Sequence, residues 1–172
     1  MSEEEPRYNN DSIDDDDRLL RAFPHYMYSP PLAEGDQAST LGTAVLTERL
    51  STQGFQTIPD KHTQVLGMSV YLERLLAGDG NPEDLLRFLS EKAKGPLSLV
   101  VLLAGKVRMA PPEFRMDPPE GPPLGIKMDP VSEPFGNAHA NVLYPEEGGR
   151  KFSGSMRNWM RQNAQVLIPE LP

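Results

Sequence analysis

The apolar residues of this chain are densest between residues 62 and 109, and their spacing predicts a helical hairpin there. In residues 62–77 the apolar side chains recur every three or four positions, the period of one face of an α-helix. These side chains are Val65, Met68, Leu72, Leu75 and Leu76. Residues 82–94 carry a second such stripe, and the short linker Gly78-Asp79-Gly80 makes the two helices antiparallel.

The second helix of the hairpin has clear start and stop signals. Asn81 is a strong N-cap, Pro82 suits the first helical position, and the acidic residues 83–84 favour the positive end of the helix dipole. Gly95-Pro96 ends the helix, because proline cannot continue it. These signals make it the best-defined element of the sequence.

Residues 96–108 form a third apolar segment that can pack against the hairpin. The apolar run at 97–103 is too short for periodicity to distinguish a buried helix from a buried strand. Four leucines and Pro96 favour a helix, while Val100-Val101 and Gly105 favour a strand. With a helix here the fold is all-α, and with a strand it becomes α+β.

Two further segments have helical periodicity. Residues 43–53 have an apolar face that ends at Gly54, and residues 155–167 are capped by Ser155 and end before Pro169. The predicted fold is therefore all-α, with a small helical core made of the hairpin and one or two further helices.

The sequence divides into four parts by composition. Residues 1–40 are an acidic arm with short linear motifs, which we expect to be disordered. Residues 41–108 are the helical core, residues 109–152 are a Pro/Gly-rich extended arm, and residues 153–172 are an amphipathic basic helix. Nine prolines in the third part block a helix there.

Composition and charge narrow the class of protein. The chain has 172 residues, 38% of them hydrophobic, with 18 prolines, 14 glycines and no cysteine, which excludes disulfides and thiol catalysis. Most of the net charge of −8 lies in residues 1–17, where eight acidic residues and one arginine give −7. The first residues, Met-Ser-Glu-Glu-Glu, lack the pattern of a signal peptide. We therefore expect a cytoplasmic protein, with nuclear or membrane-associated locations also open.

Two short motifs in the N-terminal arm indicate contacts with partner proteins. An acidic run before Leu-Leu resembles a dileucine sorting signal, or else one turn of a helix that docks in a partner groove. In the third alternative, the side chains of this motif fold back onto the core. The aromatic, proline-containing segment that follows fits either a docking peptide or a linker with a few apolar side chains. The candidate partner-binding residues are Leu19, Leu20, Phe23, Tyr26 and Tyr28. Ser2 and Ser12 precede acidic residues, which is the context of acid-directed phosphorylation and favours a phosphoprotein; the alternative is an unmodified, solubilising acidic tail.

The C-terminal helix combines basic side chains with the only tryptophan of the sequence. Basic aromatic helices bind anionic membrane surfaces or the grooves of partner proteins. Alternatively, the tryptophan packs on the core and the arginines form the solvent-exposed face of the helix. The candidate surface residues are Arg150, Lys151, Arg157, Trp159 and Arg161.

The sequence pattern indicates no catalytic, cofactor or metal site. His25, His62 and His139 are far apart, and none belongs to a pair with the spacing of metal ligands. Neither a glycine-rich phosphate loop nor a nucleophile elbow occurs. We therefore expect no enzyme, no cofactor and no bound metal, and no specific nucleic acid among the partners.

These features favour a non-catalytic protein–protein interaction or adaptor protein, a class that includes small viral structural and accessory proteins. The alternative is a peripheral membrane or matrix-type assembly protein, which would use the basic aromatic C-terminal helix against an anionic membrane surface.

Overall fold

The computed structural model describes residues 12–24, 28–29, 49–59, 64–111, 124–144 and 149–169. Within these ranges the chain forms nine β-strands, three α-helices and three short 3-10 helices. The strands are β1 (Arg18–Pro24), β2 (Tyr28–Ser29), β3 (Arg49–Leu50), β4 (Ile58–Pro59), β5 (Leu66–Leu72), β6 (Leu97–Leu103), β7 (Gly125–Met128), β8 (His139–Leu143) and β9 (Gln165–Ile168). The α-helices are α1 (Pro82–Ala93), α2 (Ala104–Arg108) and α3 (Gly154–Asn163), and the 3-10 helices are Thr52–Phe55, Glu73–Leu75 and Gly136–Ala138.

Seven of the strands form one antiparallel sheet in the order β7-β8-β5-β1-β6-β9, with β4 paired to β5. Strand β1 lies in the middle and pairs with β6 along its whole length, from Arg18 opposite Leu103 to Pro24 opposite Leu97. Strands β2 and β3 form a separate two-stranded sheet. Because β1 and β6 are far apart in the sequence, the centre of the fold depends on long-range pairing.

Strand β1 is buried on both of its faces. Leu19 and Phe23 join the cluster on one side of the sheet, Leu20 joins the cluster on the other, and each is 0% exposed. A central strand covered on both faces needs apolar side chains at successive positions, not only at alternate ones. The Leu-Leu pair predicted to dock on a partner is therefore part of the core.

One face of the sheet is covered by α2, α3 and the 3-10 helix at 52–55. Phe23 of the sheet and Phe55 of the 3-10 helix pack together at a tilt of 50°, with ring centroids 5.3 Å apart. Gly54 is required at this contact, because a Cβ atom there would lie 1.7 Å from a ring carbon of Phe23. From α3, Met156 and Met160 are both buried in the same cluster.

The other face is covered by α1, as its apolar stripe requires. Leu85 and Leu86 are fully buried against Leu20 and Leu99 of the sheet. The prediction of a helix that starts at Pro82 is confirmed, and a capping box forms: Asn81 Oδ1 accepts from the Asp84 amide at 3.0 Å, and Asp84 Oδ2 accepts from the Asn81 amide at 2.9 Å. Lys94 ends the helix in the left-handed region, with φ of 56°.

Strands β1 and β5 pair only at Leu19 and Leu20, and the side chain of Arg21 bridges them beyond that point. Its Nη1 donates to the Ser69 carbonyl at 2.9 Å, while Nε and Nη2 donate to the Gly54 carbonyl at 3.1 and 3.0 Å. Burial lowers the pKa of Arg21 to about 10. The guanidinium thus ties the 3-10 helix at 52–55 to two strands of the sheet.

Residues 12–17, which composition predicts to be disordered, are folded against the start of α2. Their backbone carbonyls accept the first two amide hydrogens of α2 at 2.9 Å. Arg74 donates to Asp17 at 2.7 Å, which raises the pKa of the arginine, and Arg108 pairs with Asp15 at 2.8 Å. The acidic run is therefore paired with particular arginines and helix amides. Most other residues of the predicted acidic arm lie outside the described ranges.

The all-α prediction is wrong, because the described chain is mostly antiparallel sheet with three short α-helices. Residues 62–77, predicted as the first helix of the hairpin, contain strand β5 and a 3-10 turn. Residues 97–103 form strand β6, the alternative that makes the fold α+β. The spacing predicted a helix because the apolar residues of β5 do not strictly alternate with polar ones. Tyr71 and Leu72, which are neighbours, are both buried.

The remaining predicted helices also differ from the structure. Residues 49–50 form strand β3 and residues 52–55 form a 3-10 helix, whereas residues 43–48 of the predicted helix lie outside the described ranges. Strands β7 and β8 lie in the segment predicted to be an extended arm, where the prolines fall between strands. Proline excludes a helix more strongly than it excludes short strands with prolines at their ends.

The C-terminal helix exists but is shorter than predicted. Ser153, not Ser155, is its N-cap and accepts from the Met156 amide at 3.1 Å. The helix ends at Asn163, and residues 165–168 leave it to form edge strand β9 beside β6. The apolar residues at 166–168 therefore extend the sheet instead of the helix.

Candidate functional site

The face of the sheet that carries α1 is open over strands β5 and β8, where it forms a groove of about 500 Å³. This volume is in the range of known ligand pockets. The residues that line the groove are Ile58, Pro59, Val65, Gly67, Ser69, Tyr71, Lys92, Val131, Ser132, Glu133, His139 and Asn141. Both polar and apolar side chains converge on this groove.

The floor of the groove is a ladder of polar side chains on two neighbouring strands. Ser69 of β5 lies opposite Asn141 of β8, and Tyr71 lies opposite His139. The residues between them, such as Val70, point into the core on the other face. Alternation along both strands therefore collects the polar groups on the open side.

His139 is held by hydrogen bonds at both ring nitrogens. Nδ1 lies 2.7 Å from the backbone carbonyl of Asp129, and Nε2 lies 3.1 Å from Ser69 Oγ. Because a carbonyl only accepts, Nδ1 carries the hydrogen and Nε2 accepts from the serine hydroxyl. The ring also meets the Tyr71 ring edge-on, with centroids 5.3 Å apart.

Asp129 contacts two residues of this ladder, Asn141 and His139. Its Oδ2 accepts from Asn141 Nδ2 at 2.9 Å and lies 3.6 Å from His139 Nδ1. Its amide donates to the His139 carbonyl at 2.9 Å, so the backbone fixes its place beside β8. The result is a hydrogen-bonded row that runs from Ser69 through His139 to Asp129.

One ion pair closes the rim of the groove next to α1. Lys92 Nζ lies 2.8 Å from both carboxylate oxygens of Glu133. This pair ties the end of α1 to the loop between β7 and β8, where Phe88 also packs on Phe135 with centroids 6.0 Å apart. Burial, and then the charge of Glu133, raise the pKa of Tyr71 on the floor.

Apolar side chains are exposed on the rim. Ile58 of β4 is 59% exposed and Val131 of the β7–β8 loop is 37% exposed, and both line the groove. They are two of the four large apolar side chains that the described chain leaves exposed, the others being Leu103 and Met109. An apolar rim over a polar floor is the surface expected of a binding site.

The candidate residues predicted from the sequence are not in this groove. Leu19, Leu20 and Phe23 are in the core, where a partner cannot reach them. Tyr26 lies outside the described residues, and Tyr28 belongs to the small sheet of β2 and β3. The structure therefore leaves no accessible docking turn at residues 19–23.

The basic residues near the C-terminus are spread along α3 and the segment before it. Arg150 lies over the Tyr144 ring at 5.4 Å, and Lys151 and Arg161 are exposed. Trp159 Nε1 donates to the Lys106 carbonyl at 2.9 Å, and the ring packs against the core. Arg157 is half-buried and donates to the Ser153 carbonyl at 3.4 Å.

The groove residues could have been noticed as polar positions in otherwise apolar strands. Ser69 interrupts the apolar run of β5, and His139 and Asn141 alternate with buried Ala140 and Val142 in β8. What the sequence does not give is the register that places Ser69 beside His139, 70 residues away. Asp129 has no local signal at all, since it enters through the loop before β8.

Comparison of the chain with family models, curated proteins and solved structures finds no match. Among the described residues, no group of three or more histidine or acidic side chains could hold a metal ion. No described helix is both long enough and apolar enough to cross a membrane.

Proposed function

We propose that this protein is an interaction protein that binds an extended, uncharged segment of a partner protein in the groove over β5 and β8. The observation that carries this proposal is the position of exposed apolar side chains on the rim of a polar floor. Ile58 and Val131 would gain from burial under an apolar side chain, at roughly 25 cal/mol per Å² of apolar surface removed from water. The floor would hydrogen-bond to backbone or amide groups of the same segment.

Charge supports an uncharged occupant. Lys92 and Glu133 are the two ionised residues among those that line the groove, and they neutralise each other at 2.8 Å. A charged side chain entering the groove would find no unpaired counter-charge among the residues that line it, and its desolvation would cost more than the contact returns.

The openness of the rim supports a protein segment over a small molecule. Small-molecule sites enclose most of their ligand, whereas here rim residues Ile58, Pro59, Val131 and Glu133 are all exposed. An extended segment needs a groove that is open on top, with polar groups to meet its backbone.

A peripheral membrane protein, the alternative suggested by the basic C-terminal helix, has weaker support. Membrane contact through Trp159 would require its indole to give up the hydrogen bond to the Lys106 carbonyl and its packing on the core. The groove needs no such rearrangement before a partner binds.

A paired-variant capture experiment tests the proposed function. The full chain carrying both Ile58→Asp and Val131→Asp is compared with the wild type for capture of partners from a lysate, followed by titration with the purified partner. Met109→Asp is the matched control, because Met109 is 65% exposed but does not line the groove. We expect the double variant to weaken binding at least tenfold and the control to bind like the wild type, with unchanged circular dichroism in both. Equal loss, or no loss, in the two variants would refute a binding site in this groove.

A further inference from the structure

The row of Ser69, His139 and Asp129 contains a serine hydroxyl hydrogen-bonded to a histidine, which is also the arrangement of a catalytic pair. We infer that Ser69 is a nucleophile, activated by His139 as its general base, and that it attacks uncharged esters that enter the groove. This inference goes beyond the proposed binding function and does not depend on it.

The geometry provides a serine and a base in the correct arrangement. Ser69 Oγ is 3.1 Å from His139 Nε2, within hydrogen-bond reach for proton transfer. The Asp129 carbonyl, 2.7 Å from Nδ1, fixes the tautomer in which Nε2 is unprotonated and able to accept the serine proton. A third group that orients the base is the feature that separates a catalytic pair from an ordinary serine–histidine contact.

A carboxylate also lies beside the histidine ring. The Asp129 carboxylate lies 3.6 Å from Nδ1 and is itself held by Asn141 at 2.9 Å. As the imidazole gains a proton, this carboxylate stabilises the imidazolium. Asp129 is thus a positioning residue, while Ser69 and His139 are the groups that react.

The groove determines the class of substrate. Lys92 and Glu133, the two charged side chains that line it, pair with each other, and its rim is apolar at Ile58 and Val131, which fits an uncharged acyl chain. Asn141 lies directly opposite Ser69, and one N–H of its amide is left after the bond to Asp129. That N–H can donate to the oxygen that becomes negative when the serine attacks a carbonyl.

The reaction is an acyl transfer to serine followed by hydrolysis. His139 Nε2 takes the hydroxyl proton as Ser69 Oγ forms a bond to the ester carbonyl carbon. The bond from that carbon to the leaving oxygen then breaks, and the proton on Nε2 goes to the departing alcohol. Water repeats both steps on the acyl-serine, which releases the carboxylic acid and restores Ser69.

Labelling of the full chain with a biotin-tagged fluorophosphonate tests this inference. The probe forms a stable phosphonyl-serine with loss of fluoride, and peptide mass spectrometry locates the modified residue. We expect labelling at Ser69, loss of it in Ser69→Ala, and retention in the control Ser155→Ala, since Ser155 is exposed on α3 away from the groove. His139→Gln should slow labelling by about a hundredfold, the usual contribution of a general base.

A second readout covers the case in which the histidine variant does not fold. Hydrolysis of 4-nitrophenyl acetate by wild type and by Ser69→Ala is compared at equal concentration, with folding checked by circular dichroism. We expect the serine variant to lose at least tenfold of the protein-dependent rate. Equal hydrolysis rates, or a folded wild type that the probe does not label at Ser69, would overturn the inference, whether or not a partner protein binds in the groove.

Discussion

Tyr71 is the residue in which the core and the groove meet. Its ring packs with the cluster under α1 and stands edge-on to His139, and it is only 9% exposed. Burial disfavours the phenolate, and the charge of Glu133 disfavours it further, so the pKa of Tyr71 is raised above 10.0. A neutral phenol is therefore part of the folded state at every physiological pH.

This shift predicts how the protein responds to alkali. The stability contributed by neutral Tyr71 is fully present below pH 10 and is lost as the pH rises through the raised pKa, because the unfolded phenol ionises first. The difference in absorbance at about 295 nm between wild type and Tyr71→Phe reports its titration. We expect its midpoint above pH 10, and Glu133→Gln should lower the midpoint without removing the effect of burial. A midpoint at or below pH 10 in the wild type would show that the phenol is not buried.

At the same scale, sequence pattern predicted little of the candidate site. His139 is far in sequence from His25 and His62, and the absence of close histidine spacing argued against a site. Its partners come instead from strand pairing, which places Ser69 diagonally across from it, and from a loop carbonyl. Neither the strand register nor a contact with a backbone carbonyl can be predicted from residue types alone.

At the scale of elements, local signals predicted helix α1, whereas the strands depend on contacts far along the chain. Helix α1 was predicted because its cap, its first proline and its stop all lie within the helix or beside it. Strand β1 was missed because its burial depends on β6 and on helices that cover both faces. A buried strand looks, in sequence, like any short apolar run.

The assignment of β1 to the core predicts a large loss of stability on truncation of Leu19. Leu19→Ala should lower the free energy of unfolding by about 3 kcal/mol, since the side chain is 0% exposed and leaves a cavity between packed layers. Leu103→Ala is the matched control, because Leu103 is 41% exposed at the end of β6 and should change stability by about 0.5 kcal/mol or less. Urea denaturation measures both. A docking role for Leu19 without a role in the core would leave stability nearly unchanged.

At the scale of the whole molecule, the helices determine where the sheet can be reached. One face is covered by α2 and α3, and the other by α1 only over its central strands. Composition shows an acidic segment and a proline-rich segment on either side of the apolar region. It could not indicate that residues 12–17 pack against the start of α2, because that contact depends on arginines elsewhere in the chain. Nor could it indicate that residues 125–143 add two strands to the sheet, because those strands depend on pairing with each other and with β5.

We propose that a partner binds over β5 and β8 and not along the basic helix α3. Hydrogen–deuterium exchange of the full chain, alone and with the partner that the wild type captures, measures this directly. We expect slower exchange in peptides covering residues 64–72 and 131–141 when the partner is bound, and unchanged exchange in residues 154–163. Protection confined to residues 154–163, with the groove peptides unchanged, would contradict the account and favour the basic helix as the contact surface.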